Sequence, residues 1–532
     1  MSVDFRNPTP FPALAFEGID QFDQAFHVIV LRQTLTWGTE GTLVYADEQA
    51  PLCEVDEYFG ALNASSIRQE SDLCHYKPRC DVIVNATAYA PIGQSTRRFQ
   101  VRCVLRRPDV SLPLPERPQG LNQFVEADEA SLREWRAQVA YIRQNPTPGQ
   151  RLIDKALTVT GERTLMRRVW PLRLFATIVH VSTLGLLSPP TWRLTRPAPF
   201  TSLPLRYEYA YGGECRIHQD DPCAKRVPQK NRLAKDLPSN NQDGPHRPIA
   251  LDAFEGNAVG RGFTQNWYVR ATRARRLPAP RIEPANAPFT SARFEKLQQA
   301  SYRSRSDFPA LAAGLGVRPK VHPERRKLAG TIDRKFMESD AWLPEDFDFA
   351  VWNAAPADQQ TEFLRGDESI ELTNLCEPGS TGASMSSEGN TFLKLQLPGH
   401  TCTLLMRMQN GTMFFHAMHI DTLIVEPATR TVSVVWRAVF EKSAEIRAVD
   451  ARLHREFEAD FTQQLNDVLT RMPAEALRRA ALDSQPEEDH GHDWSTQEQH
   501  TEGNFNSAFV QQNAGRGQHA ANPVSDGPGP LQ

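Results

Sequence analysis

Apolar and polar residues alternate along much of the first part of the chain, which is the pattern of strands with one buried face. In "DVIVNATAYA" Val82 and Val84 share a face, and in "RRFQVRCVL" Phe99 and Val101 do the same. The stretch "PIGQSTR" between these runs combines Pro, Gly and Ser and is typical of a turn. The pattern therefore predicts an N-terminal β-rich part, residues 1–112, in which the two runs form a hairpin.

A second β block runs through residues 391–440. In "TLLMRMQNGTMFFHAMHI" the pair Asn410-Gly411 lies between two apolar runs, and this pair favours the positive φ angles of a type I′ hairpin turn. After "EPATR" the alternate residues of the next run form one apolar face, namely Val432, Val434, Trp436, Ala438 and Phe440. We expect a β-meander here.

The apolar period then changes from two to about 3.6 residues, the period of an amphipathic helix. The recurring apolar positions are Ile446, Val449, Leu453, Phe457, Phe461, Leu465, Val468 and Met472. Ser443 can cap the start, and Pro473 interrupts the end. This pattern predicts a long amphipathic helix within residues 441–482, which either covers the protein's own sheet or docks a partner.

The remaining segments complete the predicted organisation. "EADEASLREWRAQVAYIRQ", around Trp135, predicts a helix within a helical insert at 113–150, and residues 151–440 continue the main domain. Residues 483–532 are polar and turn-rich, which predicts a disordered tail. The expected fold is mainly β with α (α+β), built of antiparallel sheets with turn-rich inserts.

Composition narrows the class of protein. The net charge of the 532 residues is -4, so nucleic acid is not an expected partner, although 261–335 carries 17 Lys and Arg against 5 Asp and Glu, a local balance of +12. The eight cysteines form no C-x-x-C pair, which suits a reducing compartment. We expect a cytoplasmic location, since the start shows no signal peptide and no apolar run reaches a membrane span.

Three glycines in "FEGNAVGRGF" invite comparison with phosphate-binding loops. A P-loop needs G-x-x-x-x-G-K-[ST] and a dinucleotide site needs G-x-G-x-x-G before a helix, but Gly256, Gly260 and Gly262 fit neither pattern. The next stretch, "FTQNWYVRATR", is predicted to be a strand. We therefore expect the loop to serve the backbone, with Asn257, Gly260 and Gly262 taking positive φ angles.

Other polar clusters also lack the partners that chemistry requires. "ECRIHQDDPCAKR" offers Cys215, His218 and Cys223, one ligand short of a structural zinc site. His416 and His419 fall on opposite faces of a predicted strand.

The carboxylate pairs Asp346/Asp348 and Asp367/Glu368 could bind Mg²⁺ or act as acid and base, or they could cap loops. No nucleophile motif accompanies them. No catalytic residue, cofactor or metal is predicted, and no enzyme activity is expected.

Several stretches together resemble a bacterial family, domain-of-unknown-function family 2169. In chain order they are "ESDLCHYKPRCDVIVNATAYAP", "DKALTVTGERT", "PFTSLPLRYEYAYGG", "NAVGRGF", "LAGTIDRKF", "WLPEDFDFAVWNAAPADQQTEFLRGDESIELTNL" and "DTLIVEPATRTVSVVWR". Members of this family resemble accessory proteins encoded beside the spike and toxin genes of type VI secretion systems. The resemblance implies an adaptor or chaperone that binds a toxin effector and loads it onto the spike, so the implied partners are those two proteins.

The family signature falls on a defined set of positions with no assigned roles: Tyr207, Glu208, Tyr211, Gly212, Gly213, Asn257, Gly260, Arg261, Gly262, Asp333, Trp342, Pro344, Asp346, Phe347, Asp348, Gly366, Asp367 and Glu368. Tyr211, Ala258 and Ile332 depart from the usual family residues, and 113–150 and 170–187 look like lineage-specific inserts. Two alternatives stay open: a hydrolase using Asp346 or Asp367 with His416, and a structural subunit of the secretion apparatus.

Overall fold

β-Strands are the main regular structure of the computed structural model. It describes residues 3–61, 65–92, 95–109, 115, 129–144, 148–168, 170–183, 191–212, 217–219, 222–229, 232–233, 257, 260–262, 266–303, 313–318, 320, 322–443 and 445–454. In chain order the strands are β1 (Asp4–Arg6), β2 (Ala13–Ile19), β3 (Ala25–Trp37), β4 (Leu43–Tyr45), β5 (Glu57–Tyr58), β6 (Ile67–Gln69), β7 (Cys80–Val84), β8 (Thr87–Tyr89), β9 (Arg98–Arg106), β10 (Arg151–Thr160), β11 (Thr164–Arg167), β12 (Trp192–Leu194), β13 (Ser202–Pro204), β14 (Tyr211–Gly212), β15 (Ile217–His218), β16 (Arg232–Leu233), β17 (Arg261–Gly262), β18 (Arg276–Pro278), β19 (Ile282–Pro284), β20 (Gln360–Thr361), β21 (Ser369–Thr373), β22 (Ala383–Met385), β23 (Thr391–Gln396), β24 (Thr401–Met408), β25 (Met413–Ala417), β26 (His419–Glu426), β27 (Thr431–Glu441) and β28 (Ile446–His454).

The α-helices are fewer and lie mostly between the strand blocks. They are α1 (Glu129–Gln144), α2 (Trp170–Ser182), α3 (Asn266–Thr272), α4 (Ser291–Arg303), α5 (Pro323–Leu328) and α6 (Arg334–Met337). Helix α1 confirms the helix predicted around Trp135. Among the described residues, none of these helices is long and apolar enough to cross a membrane.

Three large sheets carry the fold. The seven-stranded sheet has the order β2-β3-β27-β26-β7-β20, with β4 added to β3, and the six-stranded sheet has the order β19-β10-β9-β21-β23-β22. The four-stranded sheet has the order β1-β28-β24-β25. Most pairs are antiparallel, and the parallel pairs in these sheets are β26/β7 and β1/β28. The mainly β, antiparallel fold predicted from the alternation is therefore confirmed.

The main hydrophobic core takes side chains from all three sheets. The alternate residues Val432, Val434, Trp436, Ala438 and Phe440 of β27 all lie in it, as predicted. Strand β9 alternates buried and exposed residues over most of its length, whereas β3 and β7 are buried on both faces because the main core covers one face and other chain segments cover the opposite one.

A second, smaller core lies around β11, β12, α3 and α4. Tyr268 and Ala271 of α3 are buried there together with Phe294 of α4. The prediction of a strand over "FTQNWYVRATR" is wrong, because Asn266–Thr272 is helical. The buried positions Tyr268, Ala271 and Thr272 recur every three or four residues, which is a helical spacing.

The hairpin predicted between the first two alternating runs is also wrong. Strand β7 pairs with β26 and β20, and β9 pairs with β10 and β21. Gly93 and Gln94 of the predicted turn lie outside the described residues, and β7 is buried on both faces and takes its partners from residues 360–361 and 422–425. A local turn signal cannot identify such long-range partners.

The second β block is confirmed as strands but not as one meander, because its strands are divided among all three large sheets. Strands β24 and β25 form the predicted hairpin around Asn410-Gly411. Its turn is not type I′, which would require positive φ at both residues. Gly411 has φ 85°, whereas Asn410 is not among the described residues with positive φ, and the Gly411 N–H donates to the Met408 carbonyl.

The long helix predicted within 441–482 is wrong for its first part. Residues Ile446–His454 form β28, which pairs with β24 on one side and β1 on the other. Apolar residues at 446, 449 and 453 fit a helix, but Ala448, Val449 and Ala451 are the residues that the strand buries. The rest of the predicted helix and the predicted tail lie outside the described residues.

Candidate functional site

The first group of signature residues joins three distant segments. Glu208 accepts hydrogen bonds from the Ser66 backbone N–H (2.8 Å) and from the Ser66 hydroxyl. The Tyr207 N–H donates to Ser66 Oγ (2.9 Å), and the Tyr207 hydroxyl donates to the Gly316 carbonyl (3.2 Å). Burial raises the pKa of the Tyr207 phenol, so it stays protonated. These two residues therefore fasten the chain near 66 and near 316 to each other.

The glycine-rich loop closes onto this group. The Asn257 amide donates to the carbonyls of Tyr207 (2.7 Å) and Tyr211 (3.2 Å), and β14 pairs in parallel with β17. Gly212 has φ 144°, and a Cβ there would lie 2.5 Å from the Asn257 carbonyl oxygen. At Gly260 the reason for glycine is lack of room rather than the predicted positive φ, since a Cβ would lie 2.8 Å from the Gly212 Cα.

The loop's asparagine is thus used within the protein, as a donor to two backbone carbonyls. Of the remaining signature positions here, Arg261 and Gly262 contribute the backbone of β17, and Gly213 lies outside the described residues. Tyr211, a departure from the family pattern, is buried in the second core against Phe289, with 5.7 Å between ring centroids.

The second group of signature residues caps turns and short helices. Asp346 accepts from both the backbone N–H (2.8 Å) and the hydroxyl (2.7 Å) of Thr331. Asp333 caps α6 by accepting from the Phe336 N–H (2.9 Å), and Asp348 accepts from the Ala350 N–H (2.8 Å). The loop-capping alternative for Asp346 and Asp348 is therefore the one that the structure supports.

The aromatic members of this group form a small apolar cluster. Phe347 is buried with Leu343 and Val351, and Trp342 packs against them. Pro344 approaches Gly330 so closely that a Cβ on that glycine, which has φ 80°, would lie 2.7 Å from the proline Cβ. The segment around "PEDFD" is thus a packed corner of the scaffold.

The third group surrounds a buried carboxylate. Glu368 is fully buried and accepts from the N–H groups of Arg365 (2.8 Å) and Gly366 (3.0 Å), and it pairs with Arg107. Burial raises the pKa of Glu368 and of Asp367. Gly366 has φ 91°, and a Cβ there would lie 2.4 Å from the His400 carbonyl oxygen.

Replacing Gly366 with alanine should lower the free energy of unfolding by about 2–3 kcal/mol, because the substitution adds a clash to a strained φ. Gly399→Ala is the matched control, since Gly399 has φ 75° but nothing lies within 4 Å of its Cβ position. It should lose only about 1 kcal/mol. Urea unfolding measures both losses, and equal losses would contradict a steric role for the His400 carbonyl.

The candidate ligands His416 and His419 lie on different strands, and of the set Cys215, His218 and Cys223 only the Cys223 side chain is described. His416 belongs to β25 and packs on Phe440, whereas His419 belongs to β26 and stacks on Phe363 with 4.6 Å between ring centroids. Burial lowers the pKa of His419 to about 4, so the imidazole is neutral. Cys223 is buried in the second core, and Cys215 lies outside the described residues. Within the described ranges no cluster of three metal-ligating side chains occurs.

Sequence reasoning missed a layer of buried ion pairs on the face of the seven-stranded sheet that points away from the main core. The pairs are Arg437–Asp421 (2.5 Å), Arg32–Asp72 (2.9 Å) and Lys77–Asp81 (3.0 Å). Each of these six side chains is at most 7% exposed. A signal was present in the sequence, since Arg437 interrupts the apolar run "TVSVVWRAVF".

These pairs attach neighbouring chain segments to the sheet. Arg437 also donates to the carbonyls of Cys74 (2.7 Å) and Asp72 (2.9 Å). Asp81 accepts from the backbone N–H groups of Ala354 (2.8 Å) and Ala355 (3.2 Å). The layer therefore holds the segments around 72–77 and 353–355 in place.

A cleft of about 270 Å³ opens beside this layer, between β3, β27 and the segment 50–53. The two arginines in its lining form ion pairs with carboxylates of the protein itself. Arg68 pairs with Glu426 (2.8 Å) and Glu57 (3.3 Å), and Arg32 pairs with Asp72. Both arginines that line the cleft therefore already have a counter-charge within the protein.

The basic stretch 261–335 is partly neutralised within the protein. Arg318 pairs with Glu324 (2.6 Å), and Lys320 pairs with Asp56 (2.8 Å). Arg325 is buried and pairs with Glu70 (2.7 Å). Several of its charges are therefore scaffold contacts.

Helix α2 exposes several large apolar side chains to solvent. Five of its large apolar residues are between 46% and 66% exposed, namely Leu172, Leu174, Phe175, Ile178 and Val181. Leu174, Ile178 and Val181 recur at spacings of four and three residues, so they form one stripe along the helix. Exposed apolar patches of this kind mark sites of interaction.

Comparison with known proteins yields one family. The family described as "Uncharacterized protein conserved in bacteria (DUF2169)" matches residues 23–113 and 129–437. The interruption between 113 and 129 falls in the first predicted insert, and the match runs through α2. Comparisons with curated proteins and with solved structures gave no match. Because the match covers well over half of the chain, this protein belongs to DUF2169, a family of uncharacterized proteins conserved in bacteria.

Proposed function

We propose that this protein is an adaptor that binds a cargo effector in the cytoplasm and assists its loading onto the spike of a type VI secretion system. The observation that carries the binding role is the exposed apolar stripe of α2. Burying such a stripe contributes about 25 cal/mol per Å² of apolar surface. An apolar segment of the effector is the occupant that the stripe fits.

The signature residues support a binding role over a catalytic one. Asp346, Asp348 and Glu368 direct their carboxylate oxygens at backbone N–H groups, so they hold loops in place. The alternative hydrolase would need Asp346 or Asp367 beside His416, and the His416 ring packs on Phe440. These signature residues therefore stabilise the scaffold, and the proposed partner surface lies elsewhere.

The secretion system enters the proposal through the family resemblance. Two partners follow from it, the toxin effector and the spike protein. The remaining alternative, a structural subunit of the apparatus, predicts a different phenotype, because every secreted substrate would depend on such a subunit.

Deleting the gene should abolish secretion of one effector while a second effector of the same system is still secreted. The tagged protein, purified from its own bacterium, should carry that effector in near-stoichiometric amount by mass spectrometry. Restoring the gene is the control. Loss of secretion of both effectors would favour the structural subunit, and unchanged secretion together with a partnerless protein would contradict the adaptor.

A further inference from the structure

The outer face of the four-stranded sheet carries exposed apolar side chains. Cys402, Leu404 and Met406 of β24 point into the main core, so the alternate residues, including Leu405, point away from it. In register, Leu405 lies opposite Phe415, and Arg407 lies opposite Met413. Met413 is 62% exposed and Phe415 is 47% exposed.

The chain leaves the sheet beside these residues. His454 is the last described residue of β28, and its ring lies 6.3 Å from the Phe415 ring, centroid to centroid. His454 Nε2 also lies 2.9 Å from Thr403 Oγ1 on the same face. Residues 455–532 therefore start at the edge of this apolar patch.

The sequence that follows has the pattern of an amphipathic helix. In "REFEADFTQQLNDVLTRM" the apolar residues recur at spacings of four, four, three and four, namely Phe457, Phe461, Leu465, Val468 and Met472. A helix over 457–472 would be about 24 Å long. Four strands spaced about 4.8 Å apart are narrower than that, so the length suffices to cross the sheet.

Charge on the two surfaces is complementary. Arg407 and Arg452 lie on the outer face, 40% and 45% exposed, and share one buried carboxylate, Asp450, at 2.6 and 3.9 Å. One carboxylate balances only one of these two guanidinium charges. The first turns of the segment carry Glu456, Glu458 and Asp460. Acidic side chains near a helix N-terminus are also favoured by the helix dipole.

We propose that residues 457–472 fold back as an amphipathic helix over the outer face of the four-stranded sheet, with Phe457 and Phe461 against Met413 and Phe415. The occupant of this patch is thus the protein's own C-terminal segment. The proposal is independent of the adaptor role, because it concerns the purified protein without any partner.

Hydrogen–deuterium exchange of the full-length protein tests this contact. Amides of 457–472 should exchange at least about tenfold more slowly than those of an unstructured chain. The protection should disappear in the double variant Met413→Asp with Phe415→Asp. Met385→Asp, which changes a 57% exposed apolar residue at the edge of another sheet, is the matched control and should keep it.

A second variant separates loss of docking from loss of folding. Phe457→Asp with Phe461→Asp alters only the segment, so protection should vanish in 457–472 while exchange in β24 and β28 stays unchanged. Fast exchange of 457–472 in the wild-type protein would overturn the proposal, as would protection that survives Met413→Asp with Phe415→Asp. Protection that rises with protein concentration would also overturn it, because the occupant would then be a second copy.

Discussion

Replacing Asp421 with alanine should lower the free energy of unfolding by about 3–5 kcal/mol, the usual cost of leaving a buried charge without its partner. Asp421 is 1% exposed, and its carboxylate accepts from Arg437 Nε at 2.5 Å. Burial alone would lower the pKa of Arg437, but Asp421 raises it above its ordinary value. Without Asp421 the guanidinium would keep the carbonyls of Cys74 and Asp72 as acceptors, at 2.7 and 2.9 Å, but no longer a counter-charge at Nε.

Urea unfolding followed by tryptophan fluorescence measures this loss. The matched control is Glu338→Ala, which breaks an exposed pair with Arg334 of similar length, 2.7 Å, at side chains 63% and 90% exposed. That change should stay within about 0.5 kcal/mol. The double replacement Asp421→Leu with Arg437→Met should recover much of the loss, since it removes both buried charges. A loss for Asp421→Ala no larger than that of Glu338→Ala would contradict the assigned role.

Several strands could be predicted from the sequence because each of these follows a local rule. Alternation in "TVSVVWRAVF" identified β27 and its buried face, and Asn410-Gly411 identified the β24–β25 hairpin. Apart from this hairpin, the strand partners could not be predicted, because many of the pairings join residues hundreds of positions apart. Val84 of β7, for example, lies opposite Val425.

The misassignment of β28 has a similar cause. Ile446, Val449 and Leu453 have helical spacing, and the sequence alone does not show that β1 and β24 offer open edges on both sides of this segment. Pairing with two strands satisfies its backbone groups, which outweighs a helical period carried by three residues. Tertiary context decided the secondary structure here.

For the candidate site, the family resemblance identified the signature positions, and the structure shows which contacts require those residue types there. Glycines 212, 260 and 366 are required by contacts 2.4–2.8 Å from their Cβ positions, which no sequence pattern reveals. The acid pairs were ambiguous in sequence, since a carboxylate that caps a loop and one that acts as a base are the same residue type. Only the backbone N–H donors around Asp346 and Glu368 distinguish the two.

Substitutions in the scaffold and on the exposed face of α2 should affect stability differently. Signature residues such as Tyr207 and Glu368 are fixed by buried hydrogen bonds, so their substitution costs stability. Residues on the α2 stripe are exposed, so they can change with little effect on folding. For the proposed adaptor, such a division would let one scaffold serve different cargo, and it makes α2 the place to separate binding from stability.

The proposed adaptor role predicts that replacing Phe175 and Ile178 with glutamate abolishes capture of the effector while the protein stays folded. Both residues are exposed on α2, Ile178 on the stripe at 53% and Phe175 three residues before it at 63%, and glutamate preserves helix propensity. Loss of two buried apolar anchors costs about 2 kcal/mol each, so affinity should fall by about a thousandfold. The free energy of unfolding should change by less than about 0.5 kcal/mol.

The amount of effector co-purified per adaptor, and its secretion by the bacterium, measure this loss of binding. The matched control is the double variant Phe22→Glu with Val55→Glu, which places the same charges on two other exposed apolar residues, 62% and 72% exposed. It should retain the effector, because these side chains lie outside α2. If both double variants keep the effector at wild-type stoichiometry, α2 is not its binding surface. If both lose it, added negative charge rather than the apolar stripe governs binding.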